Sequence, residues 1–95
     1  MRVLAVCGMG LGSGLLLRMQ VEKVLKEANI PAKVEVMDIS SARGSLLQAD
    51  MVVTSSELAP QLGETKVPII TIHNFVDLNE MRSKVVPVAQ SLHKG

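Results

Sequence analysis

The run Cys7-Gly8-Met9-Gly10-Leu11-Gly12-Ser13-Gly14 holds the residues of this chain whose types and spacing could do chemistry. One cysteine is followed by four glycines that alternate with other residues. Glycine permits positive φ angles and a close approach of backbone to ligand. Successive backbone N–H groups in such a loop can converge into an anion-binding nest. A helix starting at the end of the loop adds unpaired N–H donors and the positive end of its dipole. Ser13 offers a further hydroxyl donor or a helix cap. The thiolate is the reactive form of cysteine, and an electropositive setting favours it. The same donors bind the equatorial oxygens of an incoming phosphoryl group. One cradle then serves thiolate, transition state and phosphocysteine. The pattern points to Cys7 as a covalent phosphoryl nucleophile. Gly8, Met9, Gly10, Leu11, Gly12, Ser13 and Gly14 form its phosphate-binding loop.

Two other phosphate loops fail on spacing. A nucleotide-binding loop of the G-x-x-x-x-G-K-[ST] type needs a lysine directly after the glycines, and the first lysine here is Lys23. A dinucleotide fingerprint, G-x-G-x-x-G, needs glycine at 13 or 15, where Ser13 and Leu15 stand. A plainer reading of Cys7 is a small buried core residue before an ordinary glycine turn.

The loop needs a strand before it and a helix after it. Arg2 to Val6 is a short apolar run, as expected for a strand covered on both faces of a parallel sheet. Gly8 to Gly14 reads as loop, and the pattern then turns helical to about Asn29. Leu17, Val21, Val24, Leu25 and Ala28 share one helical face, and Asn29 and Pro31 end it. Lys33 to Ile39 reads as a second strand. Ser40 and Ser41 are placed to cap a short helix over about 42–48. Asp50 to Ser55 is a third strand, 57–66 a loop with room for one helical turn, and Pro68 to His73 a fourth strand. Asp77 and Glu80 have capping-box spacing before a last helix, in which Pro87 predicts a kink or break. Strands alternating with helices predict an α/β fold, a three-layer α/β/α arrangement with a four-stranded parallel sheet. Ligands of such sheets bind beyond the carboxyl ends of the strands, which is where Cys7, Ser55-Ser56 and His73-Asn74-Phe75 fall.

Length and composition fit one domain over residues 1–95. The formal net charge is +1, with no basic run, and aromatics are almost absent. Both features exclude a nucleic-acid footprint. A single cysteine leaves no intramolecular disulfide or Cys-based metal cluster and fits a reducing compartment. Two histidines without a paired carboxylate make no metal site, and no cofactor is called for. No segment nears the ~20 apolar residues of a membrane span, so a soluble, cytoplasmic protein is expected.

The run LAVCGMGLGSG resembles the active-site loop of the cysteine-phosphorylated IIB components of the bacterial phosphoenolpyruvate-dependent phosphotransferase system. It is most similar to the ascorbate-type IIB proteins, whose loop follows C-G-x-G-x-G-S. The likeness spans essentially the whole chain in length and element order. It implies that Cys7 takes a phosphoryl group from phosphohistidine on a soluble IIA partner. Cys7 would then pass it to a sugar-like substrate, L-ascorbate by this resemblance, moved by the membrane IIC component. The protein would sit in the cytoplasm, peripherally associated with IIC. Gly14 departs from the pattern, which has a second Ser there.

The competing resemblance is to low-molecular-weight phosphatases and arsenate reductase-like hydrolases, which use C-x5-R-[ST]. With five residues between, the position of that arginine holds Ser13, so the bidentate clamp is missing. A hydrolase also needs a general acid, and the stretch Ser55 to Gly63 after the third strand offers only Glu57. Both absences suit a carrier. His73 reads as a capping or strand-end histidine, His93 as solvent-exposed, Asp38 as a loop or capping residue and Asp77 as a helix cap. Met9 and Leu11 read either as core-facing or as a docking surface around Cys7.

Overall fold

The computed structural model describes residues 1–7, 11–63 and 65–94, and only the backbone of 11–13 and 94. Strand β1, Arg2–Val6, has Val3, Leu4, Ala5 and Val6 fully buried. Successive side chains of a strand point to opposite faces, and here each face has its own core. Val3 and Ala5 join one hydrophobic cluster, Leu4 and Val6 another. That is why the run is apolar throughout rather than alternating.

β1 pairs in parallel with β2, Lys33–Met37, and β3, Met51–Ser55, while β4, Ile69–Ile72, lies beyond β3. The strand order is therefore β2-β1-β3-β4. Helix α1, Leu11–Glu27, connects β1 to β2. Helix α2, Ile39–Ser45, with a 3-10 turn over Leu46–Gln48, carries the chain back past β1 to β3. A second 3-10 turn, Ala59–Leu62, precedes β4, and α3, Leu78–Lys94, follows it. Connections of one hand running in opposite directions along a sheet must cover opposite faces. Accordingly Leu17, Val21, Val24 and Leu25 of α1 pack with Met81, Val85 and Ala89 of α3 on one face. Ala42, Leu46 and Leu62 cover the other. The α/β layering expected from the sequence is the one observed. The connections reverse between β1 and β3, and the carboxyl edge at such a reversal is where ligands bind in open α/β sheets.

Local chemistry explains where the elements end. Asn29, at φ 58°, closes α1. Its N–H donates to the Lys26 carbonyl (3.0 Å), and the Ile30 N–H donates to the Leu25 carbonyl (2.9 Å). That pair of bonds is a Schellman motif. Three expected boundaries differ. α1 starts at Leu11, so residues 11–14 belong to its first turn rather than to the loop. β2 stops at Met37 because the Asp38 carboxylate caps α2, accepting the Ser41 N–H at 2.9 Å. The cap is therefore Asp38, and α2 begins three residues earlier than read. Finally, α3 runs through Pro87 without a break. Pro87 and Ser83, the residue whose carbonyl it leaves without an N–H partner, are both exposed, while Met81, Val85 and Ala89 hold the other side in the core.

Candidate functional site

Cys7 is half-buried and follows β1 directly, at the carboxyl edge of a central strand. Its backbone is held from both sides. The Cys7 N–H donates to the Met37 carbonyl of β2 at 3.1 Å. On the other side, the Thr54 hydroxyl of β3 donates to the Val6 carbonyl at 2.9 Å. Both atoms belong to the one peptide unit that joins Val6 to Cys7. The register explains the geometry, since Val6 is paired with both Met37 and Thr54.

The first turn of α1 lies against this cysteine. Gly14 is buried, and a Cβ built on it would stand 3.7 Å from the Cys7 Cβ and 2.8 Å from Val36 Cγ1. No side chain fits at position 14 without displacement, so the departure from Ser to Gly there has a steric counterpart in Val36. First-turn N–H groups of a helix have no intrahelical acceptor and attract anions. Of the residues expected to form the cradle, Leu11, Gly12, Ser13 and Gly14 fall in that turn. Gly8, Met9 and Gly10 lie outside the described residues, as does the docking or core-facing role read for Met9. Further along α1, Leu15 and Met19 are exposed one helical turn apart, and Leu15 shares with Val36 of β2 a groove also lined by Arg18 and Glu22. Sequence reasoning placed no importance on this apolar rim, although the Leu15–Met19 spacing outside the core stripe marks it.

The remaining candidates are occupied structurally. Glu80 accepts the N–H groups of His73 (2.8 Å) and Asn74 (2.9 Å), and the Lys84 ammonium lies 2.7 Å away. Lys84 above all, then the two backbone donors, holds the Glu80 carboxyl well below the usual carboxylate range. The His73 ring is exposed, with Nδ1 3.0 Å from the same carboxylate. β3 lies between β4 and β1, so the end of β4 stands about 10 Å sideways from that of β1, two strand spacings. His73 is thus the strand-end histidine read from the sequence.

Asp77 caps α3, its Oδ1 accepting the N–H groups of Asn79 (3.0 Å) and Glu80 (3.1 Å). The return half of the expected capping box is absent, because Glu80 reaches to His73 and Asn74 instead. The side-chain and backbone bonds from Ser41 lower the Asp38 carboxyl. Ser55 closes the turn after β3 by accepting the Leu58 N–H at 3.3 Å. Arg2 pairs with Glu35 (3.1 Å) at the opposite end of β1 from Cys7, and Arg18 pairs with Glu22 (3.0 Å).

Comparison with known proteins bears on what this site does. The family model described as "PTS system, Lactose/Cellobiose specific IIB subunit" matches residues 2–86. The chain is 30% identical over 89 residues to an ascorbate-specific PTS system EIIB component of Mycoplasma pneumoniae, covering 93% of this chain and 94% of that protein. It is 28% identical over 91 residues to the protein of the same name from Shigella sonnei, covering 95% and 90%. Among solved structures, it is similar to a cellobiose-specific phosphotransferase IIB component from Borrelia burgdorferi. That match has a TM-score of 0.61 and 25% identity, over 99% of this chain and 92% of the other. The lactose-specific IIB domain of Streptococcus pneumoniae shares the fold, with a TM-score of 0.58 at 12% identity over 100% and 98% of the two chains.

Proposed function

The chain belongs to the lactose/cellobiose-specific IIB subunit family of the phosphotransferase system, and from that membership we propose that it carries a phosphoryl group on Cys7. The observation that carries the reading is the placement of Cys7 at the carboxyl end of β1, against the first turn of α1 at Gly14. A thiolate there attacks phosphorus of a phosphohistidine on a IIA-type donor. The S–P bond forms, the N–P bond breaks, and the released imidazole nitrogen takes a proton. In the second step the substrate hydroxyl attacks phosphorus, loses its proton, and the Cys7 thiolate leaves. Backbone N–H groups of residues 8–14, the last four of them in the first turn of α1, stabilise the charge on the phosphoryl oxygens in both steps.

The names of the curated relatives support one choice of substrate. The curated proteins it matches over nearly their whole length are named ascorbate-specific, which favours L-ascorbate, moved by a membrane IIC component, as the acceptor. The subunit works at the cytoplasmic face. Among the described residues no helix is long and apolar enough to cross a membrane, and contact with IIC would bring it there. Ser13 in place of the C-x5-R arginine leaves no clamp for hydrolysis, which suits a carrier.

Incubation with a phosphorylated IIA donor, followed by intact-mass measurement, should give one phosphoryl adduct on the wild type and none on Cys7→Ser. An adduct that survives in Cys7→Ser, or sits on a histidine, would refute the reading. Turnover of an aryl phosphate that Cys7→Ala abolishes would favour the hydrolase instead.

A further inference from the structure

Thr54 is the one fully buried polar side chain among the described residues. It sits in the last turn of pleat of β3, between the apolar Val53 and the half-buried Ser55. The sheet itself does not require a hydroxyl there, since the neighbouring β3 positions Val52 and Val53 are buried valines. The hydroxyl is spent on one acceptor, the Val6 carbonyl at 2.9 Å. That carbonyl belongs to the same peptide plane as the Cys7 N–H, which is tied to Met37 on the far side at 3.1 Å. A peptide unit is planar and rigid. Fixing its oxygen from β3 and its hydrogen from β2 therefore sets its tilt, and with it the direction in which the Cys7 Cα–Cβ bond leaves the sheet.

We propose that Thr54 is a positioning residue for phosphoryl transfer: its buried hydroxyl orients the Val6–Cys7 peptide and so aims the Cys7 sulfur at the first turn of α1. The inference rests on the reading of Cys7 as phosphoryl carrier. In this role Thr54 acts through the Val6–Cys7 peptide, whose carbonyl its hydroxyl holds at 2.9 Å. The close contacts around position 14 make such aim consequential. The Cβ position of Gly14 lies only 3.7 Å from the Cys7 Cβ, so a tilt of the peptide moves the sulfur relative to the helix N-terminus. An ordinary buried hydrogen bond is worth about 0.5–1.5 kcal/mol. If that energy is lost from the aligned state alone, the transfer rate falls roughly two- to twelvefold.

Two substitutions separate hydroxyl from shape. Thr54→Val keeps the branched outline and removes the donor, whereas Thr54→Ser keeps the donor and removes a buried methyl. The rate of phosphoryl acceptance from a phosphorylated IIA donor is expected to fall about two- to twelvefold in Thr54→Val and to stay near wild type in Thr54→Ser. Thermal melting is expected to rank them differently, with Thr54→Ser losing stability through its missing methyl. A Thr54→Val protein at the wild-type rate would overturn the proposal. So would rates that merely follow melting temperature across the two variants. Should Thr54→Val not fold, Thr54→Ala takes its place under the same criteria.

Alkylation of Cys7 by iodoacetamide at fixed pH gives a second readout without phosphoryl chemistry. Its rate should change about twofold or more in Thr54→Val but not in Thr54→Ser; equal rates in all three proteins would overturn the proposal. A wild type that forms no phosphocysteine, yet shows this alkylation pattern, would reject the carrier reading while retaining the positioning role.

Discussion

Gly14→Ala tests how α1 is seated against Cys7. The new Cβ would lie 2.8 Å from Val36 Cγ1, about 0.7 Å inside the ~3.5 Å of ordinary carbon contact. Two effects oppose each other. Alanine in place of helical glycine favours folding by up to about 1 kcal/mol, whereas a forced contact in a packed site costs roughly 1–3 kcal/mol. Val36 is β-branched and stiff at χ1, although at 38% exposure on an edge strand it has some room to yield. We therefore expect Gly14→Ala to destabilise by about 1 kcal/mol. Removing Cγ1 with Val36→Ala leaves the Cys7 Cβ, at an ordinary 3.7 Å, as the nearest atom. In that background Gly14→Ala should stabilise by roughly 0.5–1 kcal/mol. The sign thus reverses between backgrounds, and a double-mutant cycle by urea denaturation reads the coupling directly. A first turn lifted by a few tenths of an ångström should also slow phosphoryl acceptance about tenfold, with recovery in the double variant. An equal stabilisation by Gly14→Ala in both backgrounds, with unchanged transfer rate, would refute the steric account.

The acid limb of the stability profile provides another test. The Glu80 pKa is depressed in the folded protein, so the unfolded chain binds the proton more readily. Its contribution is complete above the ordinary carboxyl pKa near 4.5 and is lost as pH falls through the lower folded value. The melting-temperature gap between wild type and Glu80→Gln should therefore be widest at neutral pH and narrow steadily below pH ~4.5; a gap constant with pH would contradict it. Asp38→Ala should lower the melting temperature by removing the cap of α2, and Asp38→Asn, which keeps a capping oxygen, should lower it less; equal loss in the two would argue against the cap. Phosphocysteine formation abolished by Cys7→Ser and the opposite rankings of the two Thr54 variants complete the set.

Much of this protein is written locally. The apolar run Val3 to Val6 requires cover on both faces of a sheet, the stripe of Leu17, Val21, Val24 and Leu25 requires a helix packed on one side, and Asn29 before Pro31 stops it. The glycines after Cys7 mark the loop as chemical before any contact is known. These features depend on residues a few positions apart, where period and backbone preference act directly. Boundaries were less legible, because a carboxylate at Asp38 and a serine at Ser40 are both acceptable caps until packing chooses. Likewise, nothing local says that the helix survives Pro87, because its hold on the core through Val85 and Ala89 is a tertiary matter.

The cysteine shows the same division. Its identity as the candidate nucleophile came from the sequence, through the glycine spacing and the absence of the Lys and Arg of other phosphate loops. Its setting came only from the fold. The order β2-β1-β3-β4 puts Met37 on one side of the Val6–Cys7 peptide and Thr54 on the other. It also brings Val36 against Gly14, which gives a reason for glycine at that position. Thr54 hydrogen-bonds a carbonyl 48 residues away. No periodicity or turn preference reports a partner at that separation, because strand pairing is decided by which faces bury together once the chain has collapsed.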